Sequence, residues 1–221
     1  MKKIAKALLL TTTVLVVTPS YADFGSLLGK KSSKPSSNAY SMQDKLVKTY
    51  LSSAANINNA QLLLAEAFGL KDTVTKLEAE KEALSSGSVS DEDSIEKNKE
   101  VSEEANKAIQ EKIKSGAKLS ADGKKSYIKS FIPYIKGLVG GKSVVTESKP
   151  FLESAKSTIS NASFTDTLSV TNKLKSGTFV ATTMPSYVQS LWETSKLMLT
   201  YAKDNKIDVP DDATDSVSDM F

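Results

Sequence analysis

The sequence predicts an all-α protein, an irregular bundle of about six or seven helices with a flexible N-terminal leader and a flexible C-terminal tail. Three observations favour this fold class. Apolar residues recur at spacings of three and four along most of the chain, which places them on one face of a helix. Ser, Asp, Gly and Pro stand where these stretches begin and end, as at helix caps. The one strand-like stretch, 178–183, has no obvious second strand with which to pair, so we assign it to a loop or a helix entry.

The first 22 residues are typical of a secretory signal peptide. Three lysines precede an apolar stretch, 7–17, that is too short to span a bilayer as a helix. Small residues and a proline follow and place the predicted cleavage between Ala22 and Asp23. We therefore expect an exported, bacterial protein that is periplasmic or secreted. An uncleaved N-terminal anchor is the competing interpretation, and it requires a longer apolar span.

The composition excludes several classes of function. The chain has no histidine and no cysteine, so Ser-His-Asp and Cys-His catalysis, thiol redox chemistry and the usual zinc sites are excluded. Removal of the signal peptide leaves 26 lysines against 26 acids, and the chain has no arginine. Nucleic-acid binding is therefore not expected. We expect no metal site and no cofactor.

The mature chain divides into three parts by composition. A flexible leader, 23–40, is rich in serine and glycine, a single helical domain covers 41–205, and an acidic flexible tail covers 206–221. The first helix is predicted to begin near Ser41 and to end at Gly69, a left-handed cap. A second helix follows, although one continuous helix through both stretches is an alternative.

A charged helix is predicted next, from Ser90, which forms a capping box with Asp93, to about Ser115. Gly116 closes this helix. Its apolar residues are sparse, and glutamate and lysine alternate along the rest. This pattern is typical of a solvated outer helix or a coiled-coil partner.

The second half is predicted to contain shorter helices. The stretch 120–139 is apolar on one broad face and ends at the glycine pair 140–141, with a proline that kinks or divides it. Pro150 is predicted to open the next helix, Thr165 to cap a shorter one, and Pro185 to open the last.

An aromatic group in the second half is the main candidate site. These residues suit a pocket for an apolar ligand, but core packing is the favoured interpretation, because a bundle without disulfides needs large side chains inside. The group consists of Tyr127, Phe131, Tyr134, Phe151, Tyr187 and Trp192.

The leading functional hypothesis is an exported, non-enzymatic helical binding or interaction protein whose partner is an unknown protein or apolar ligand. A first alternative is a secreted membrane-active protein that uses 127–145 as an interfacial element and contacts a membrane surface. A second alternative is an enzyme that uses carboxylates, such as those at 91–93 and 103–104, on a glycan or cell-wall polymer. For these carboxylates, roles at a helix terminus and on the surface are favoured over a catalytic role.

Overall fold

The computed structural model describes residues 36–210 of the chain. The predicted signal peptide, the cleavage site between Ala22 and Asp23, and residues 211–221 lie outside the described residues. The described part consists of six helices without a strand, which confirms the all-α prediction. The helices are α1 (Ser36–Ala67), α2 (Lys71–Ser86), α3 (Glu92–Lys114), α4 (Ala121–Ser160), α5 (Thr167–Lys173) and α6 (Lys175–Asp204).

Four long helices form the centre of the bundle. Both α4 and α3 pack against α1 and α6, so α3 and α4 occupy opposite corners of a four-helix arrangement. Helix α4 runs antiparallel to α1, because Gly137 lies beside Ser53 whereas Gly123 lies beside Ala67. Helix α2 packs against α1 and α3, and the short α5 packs against α4 and α6.

Local signals predict most ends of the first three helices. Gly69 after α1 has φ 67° and Gly116 after α3 has φ 64°, the left-handed conformation that favours glycine. The capping box of α3 is displaced by one residue from the predicted Ser90. Asp91 accepts a hydrogen bond from the Ser94 backbone N–H (2.9 Å), and the Ser94 hydroxyl accepts one from the Asp91 N–H (3.1 Å). Helices α1 and α2 are separate.

Two apolar residues just outside the predicted helical domain, 41–205, also pack on the core. Helix α1 begins at Ser36 rather than near Ser41, so the end of the predicted leader is helical and Ala39 is buried. At the other end, Ile207 was assigned to the tail but is also buried. In both places the removal of apolar surface from water favours this packing.

Three helix ends predicted in the second half are wrong. Helix α4 continues through Pro133, the glycine pair 140–141 and Pro150, and α6 begins ten residues before Pro185. The 178–183 stretch is part of α6. An internal proline costs about 3 kcal/mol, but each large buried side chain contributes roughly 1.5–3 kcal/mol. The buried residues of α4 around these positions outweigh the local cost: Tyr134, Leu138, Val144 and Phe151.

The glycines of α4 allow close helix contacts instead of ending the helix. The Ser53 hydroxyl donates a hydrogen bond to the Gly137 carbonyl oxygen at 2.7 Å. A Cβ atom at Gly137 would lie 2.5 Å from Ile57 Cδ1, and one at Gly141 would lie 2.8 Å from Val188 Cγ2. Helix α4 therefore packs on α1 and α6 at distances that a larger residue would prevent.

Candidate functional site

The aromatic group lies mainly in the core. Tyr127, Phe131, Tyr134, Phe151 and Tyr187 are all buried, and Trp192 is partly buried against the same core. Two shallow surface depressions are lined by other residues. One lies along α5 and the other between the beginning of α1 and the second half of α4.

Hydrogen bonds hold the buried tyrosine hydroxyls in place. Tyr127 donates to the Met198 carbonyl oxygen at 2.8 Å, and Tyr134 donates to the Leu191 carbonyl oxygen at 3.0 Å. Burial raises the pKa of both hydroxyls above the usual value for tyrosine. Neutral, hydrogen-bonded hydroxyls inside a packed core are typical of structural residues.

A line of uncharged polar residues runs along the inner side of α3, and we call it the polar seam. Its first member, Asn98, accepts a hydrogen bond from the Tyr50 hydroxyl at 2.9 Å and donates one to the Glu80 carboxylate at 3.0 Å. All three side chains are buried. The seam repeats at intervals of four residues and consists of Asn98, Ser102, Asn106 and Gln110.

The middle of the polar seam joins α3 to α1 and α6. The Ser102 hydroxyl donates to the Gln61 side-chain oxygen at 2.7 Å and is also hydrogen-bonded to the Tyr187 hydroxyl. The Gln61 amide in turn donates to the Ser102 carbonyl oxygen at 2.9 Å. Burial raises the pKa of the Tyr187 hydroxyl, although its hydrogen bond to Ser102 opposes that increase.

The remaining two seam residues contact α6 at positions that are one helical turn apart. Asn106 donates to the Ser190 hydroxyl at 3.1 Å, and Gln110 donates to the Thr194 hydroxyl at 2.6 Å. The expectation of a solvated outer helix therefore holds only for the outer side of α3. The seam is not among the predicted features, although an uncharged polar residue at every fourth position of a charged helix is a visible signal in the sequence.

Four of the five clustered carboxylates at 91–93 and 103–104 have structural partners. The Ser94 hydroxyl and N–H lower the pKa of Asp91 by hydrogen bonding. Glu92 lies 2.6 Å from the Lys175 ammonium group and raises the pKa of that lysine through the hydrogen bond. Further along α3, Glu103 forms an ion pair with Lys99 at 2.8 Å, and Glu104 forms one with Lys76 at 2.7 Å. Within residues 36–210, no three acidic side chains form a group that would hold a metal ion.

The outer side of α4 carries two large apolar residues in solvent. Ile132 is 54% exposed and Val139 is 51% exposed. They are seven residues apart, which is two helical turns, so they lie on one stripe of the helix. Exposed lysines border this stripe. We call the surface formed by these residues the basic apolar face: Lys125, Lys129, Ile132, Lys136 and Val139.

A second exposed apolar pair lies at the turn between α4 and α5. Phe164 is 100% exposed and Leu168 is 72% exposed. The hydroxyl of Ser163 donates to the Asp166 carboxylate at 2.5 Å, which braces this turn. The adjacent depression is lined by Thr165, Leu168, Ser169, Asn172 and Lys173.

Opposite corners of the bundle carry opposite charge. Helix α4 contains seven lysines and three acids, a net charge of +4. The α2–α3 segment, 71–114, contains eight lysines and twelve acids, a net charge of −4. Because α3 and α4 lie at opposite corners, the described part of the chain has a basic side and an acidic side.

Comparison with known proteins adds no functional information. The chain matches no protein family model, and neither a curated protein nor a solved structure is significantly similar to it. No helix among residues 36–210 combines the length and the apolar character needed to cross a membrane.

Proposed function

We propose that this chain is an exported, non-enzymatic binding protein and that it contacts its partner through the basic apolar face. The observation that carries the proposal is the exposure of Ile132 and Val139 in the middle of a helix whose inner side is packed in the core. Single exposed apolar residues are ordinary, but an aligned pair with a charged border is typical of an interaction surface.

The environment of the polar and aromatic groups supports a non-enzymatic role. The buried tyrosines and the polar seam contact other parts of the bundle, as described above, and are not open to a substrate. Asp91 caps α3, and Glu92, Glu103 and Glu104 pair with lysines. Catalytic carboxylates need a partly buried setting that separates their pKa values, and these exposed ion pairs do not supply one.

The export component rests on the predicted signal peptide. N-terminal sequencing of the protein recovered from outside the cytoplasm should begin at Asp23. A chain that retains Met1 and remains in the cytoplasm would contradict this part of the proposal without affecting the binding surface.

The binding component can be tested by replacing each of the two exposed apolar pairs with serine in a separate variant. On a density gradient of the host's extracytoplasmic fraction, we expect the wild-type protein to sediment together with its partner, separately from the free protein. Ile132→Ser/Val139→Ser should sediment as free protein, because the change removes the apolar part of the face. Phe164→Ser/Leu168→Ser is the matched control, and it should behave as the wild type.

Both variants should fold normally, because surface substitutions usually change the free energy of unfolding by less than about 0.5 kcal/mol. Thermal unfolding followed by circular dichroism checks this point. If Ile132→Ser/Val139→Ser folds and sediments as the wild type does, the basic apolar face is not the binding surface.

A further inference from the structure

We propose that the partner of the basic apolar face is an anionic lipid surface. This inference names the partner for the surface described above and therefore rests on the proposed function. Its elements are the shape of the face, the sign and type of its charge, and the way α4 is held in the bundle.

The shape of the face suits a flat surface. Lys125 and Val139 are fourteen residues apart on α4, which corresponds to about 21 Å along the helix axis. The residues between them that face solvent lie on one side of α4, at a corner of the bundle. All of them can therefore touch a planar surface at the same time.

The charge of the face has the sign that anionic lipid requires. Between Asp122 and Glu147, α4 carries no acid, and all its lysines in that interval are exposed. Lys125, at one end of the face, forms a solvent-exposed ion pair with Asp122 at 2.9 Å. The neighbouring stretch of α1, 45–65, also contains no acid. The lysines of α4 in that interval are Lys124, Lys125, Lys129, Lys136 and Lys142.

The type of charge favours lipid over an acidic protein. Lysine is a flexible point charge whose alkyl stem lies along apolar surface while the ammonium group reaches outward. Arginine, which forms the bidentate carboxylate pairs common at protein interfaces, is absent from the chain. Apolar side chains with a lysine border are the pattern of helices that lie in a membrane interface.

The packing of α4 limits the contact to its outer side. The inner residues of the same segment, including Tyr127, Tyr134 and Leu138, are buried in the core. Only Ile132 and Val139 are available to enter the interface without unfolding the bundle. The acidic α2–α3 corner then points away from the lipid, which fixes the orientation of the bound protein.

The experiment measures flotation of the purified exported protein with vesicles. One set contains phosphatidylcholine and phosphatidylglycerol in equal parts, and a second contains phosphatidylcholine alone. We expect binding to the anionic set, and a large decrease when the salt is raised from about 0.1 to about 1 M, where the screening length falls from about 10 to about 3 Å.

Two triple variants with the same change in net charge separate a local surface from a general charge effect. Each lysine near an anionic surface contributes about a fivefold increase in partitioning. Lys125→Gln/Lys129→Gln/Lys136→Gln should therefore weaken binding by about a hundredfold. The control is Lys97→Gln/Lys107→Gln/Lys114→Gln, which changes three exposed lysines at the opposite corner. It should change vesicle binding by less than about threefold.

The apolar part is tested with Ile132→Ser/Val139→Ser, which should weaken vesicle binding by at least about tenfold at constant charge. Equal loss in both triple variants, or equal binding to neutral vesicles, would overturn the lipid proposal. Self-association of the wild-type protein in lipid-free buffer, if this double variant abolishes it, would also overturn the lipid proposal. The partner of the face would then be a second copy of the chain. If the protein does not bind vesicles but its sedimentation in the host's extracytoplasmic fraction still depends on Ile132 and Val139, the lipid proposal is overturned. The proposed function is then unaffected.

Discussion

Substitution of Gly137 by alanine tests the close contact between α4 and α1. The added Cβ atom would lie 2.5 Å from two side-chain carbons of Ile57 and 3.1 Å from the Ile57 backbone nitrogen. A rotamer change can move the side-chain carbons, but it cannot move the backbone atom. The two helices must therefore separate, which also weakens the hydrogen bond from Ser53 to the Gly137 carbonyl oxygen.

Two opposing effects set the size of the change in stability. Alanine is about 1 kcal/mol more favourable than glycine inside a helix, whereas overpacking a core contact costs about 1–3 kcal/mol. The backbone contact places Gly137→Ala at the upper end of that range. We expect a net loss of about 2 kcal/mol, which corresponds to a decrease in Tm of about 4–8 °C.

A double-mutant cycle with Ile57→Ala isolates the contact. Ile57→Ala alone should cost about 2–5 kcal/mol because it creates a cavity in the core. In that background Gly137→Ala should cost at least about 1 kcal/mol less than in the wild type, because the new methyl group enters the space left by isoleucine. The measurement is urea unfolding of the four proteins.

The refuting result is a gain in stability from Gly137→Ala of about 1 kcal/mol, the value that helix propensity alone predicts. Zero coupling between the two sites would equally exclude the contact. Either outcome would mean that α1 and α4 are further apart than the structure has them.

Three further predictions concern the buried polar groups and a helix cap. Burial raises the pKa of five tyrosines above 10.0: Tyr50, Tyr127, Tyr134, Tyr187 and Tyr201. The folded state therefore keeps their protons while the unfolded state loses them, and the free energy of unfolding should fall by up to about 7 kcal/mol per pH unit above about pH 10. A free energy of unfolding that stays constant from about pH 9 to 11 would contradict this. Asn98→Ala should cost about 3 kcal/mol in urea unfolding, because the Glu80 carboxylate loses its donor inside the bundle, and adding Glu80→Ala should recover part of that loss. Asp91→Ala should lower Tm at neutral pH. Because the pKa of Asp91 is lowered in the folded state, its stabilisation is present above the usual pKa of 3.8 and disappears as the pH falls, so the Tm difference from the wild type should narrow in acid.

Some properties of this protein follow from the sequence because they depend on residues that are close together in the chain. The all-α class follows from the three-and-four spacing of apolar residues, which a helix places on one face. The ends of α1 and α3 follow from Gly69 and Gly116, because the left-handed conformation is intrinsically accessible to glycine. A cap for α3 was predicted to within one residue for the same reason.

Other properties depend on contacts between distant parts of the chain, and only the tertiary structure decided them. Pro150, Pro185 and the glycine pair 140–141 resemble helix ends locally, but burial of the surrounding residues outweighs the local cost. The polar seam required its partners on α1, α2, α4 and α6, which no local pattern identifies. Likewise, the spacing of apolar residues on α4 does not distinguish Ile132 and Val139 from their buried neighbours. Their exposure follows from the positions of α1 and α6, which cover one side of α4 and leave the other side in solvent.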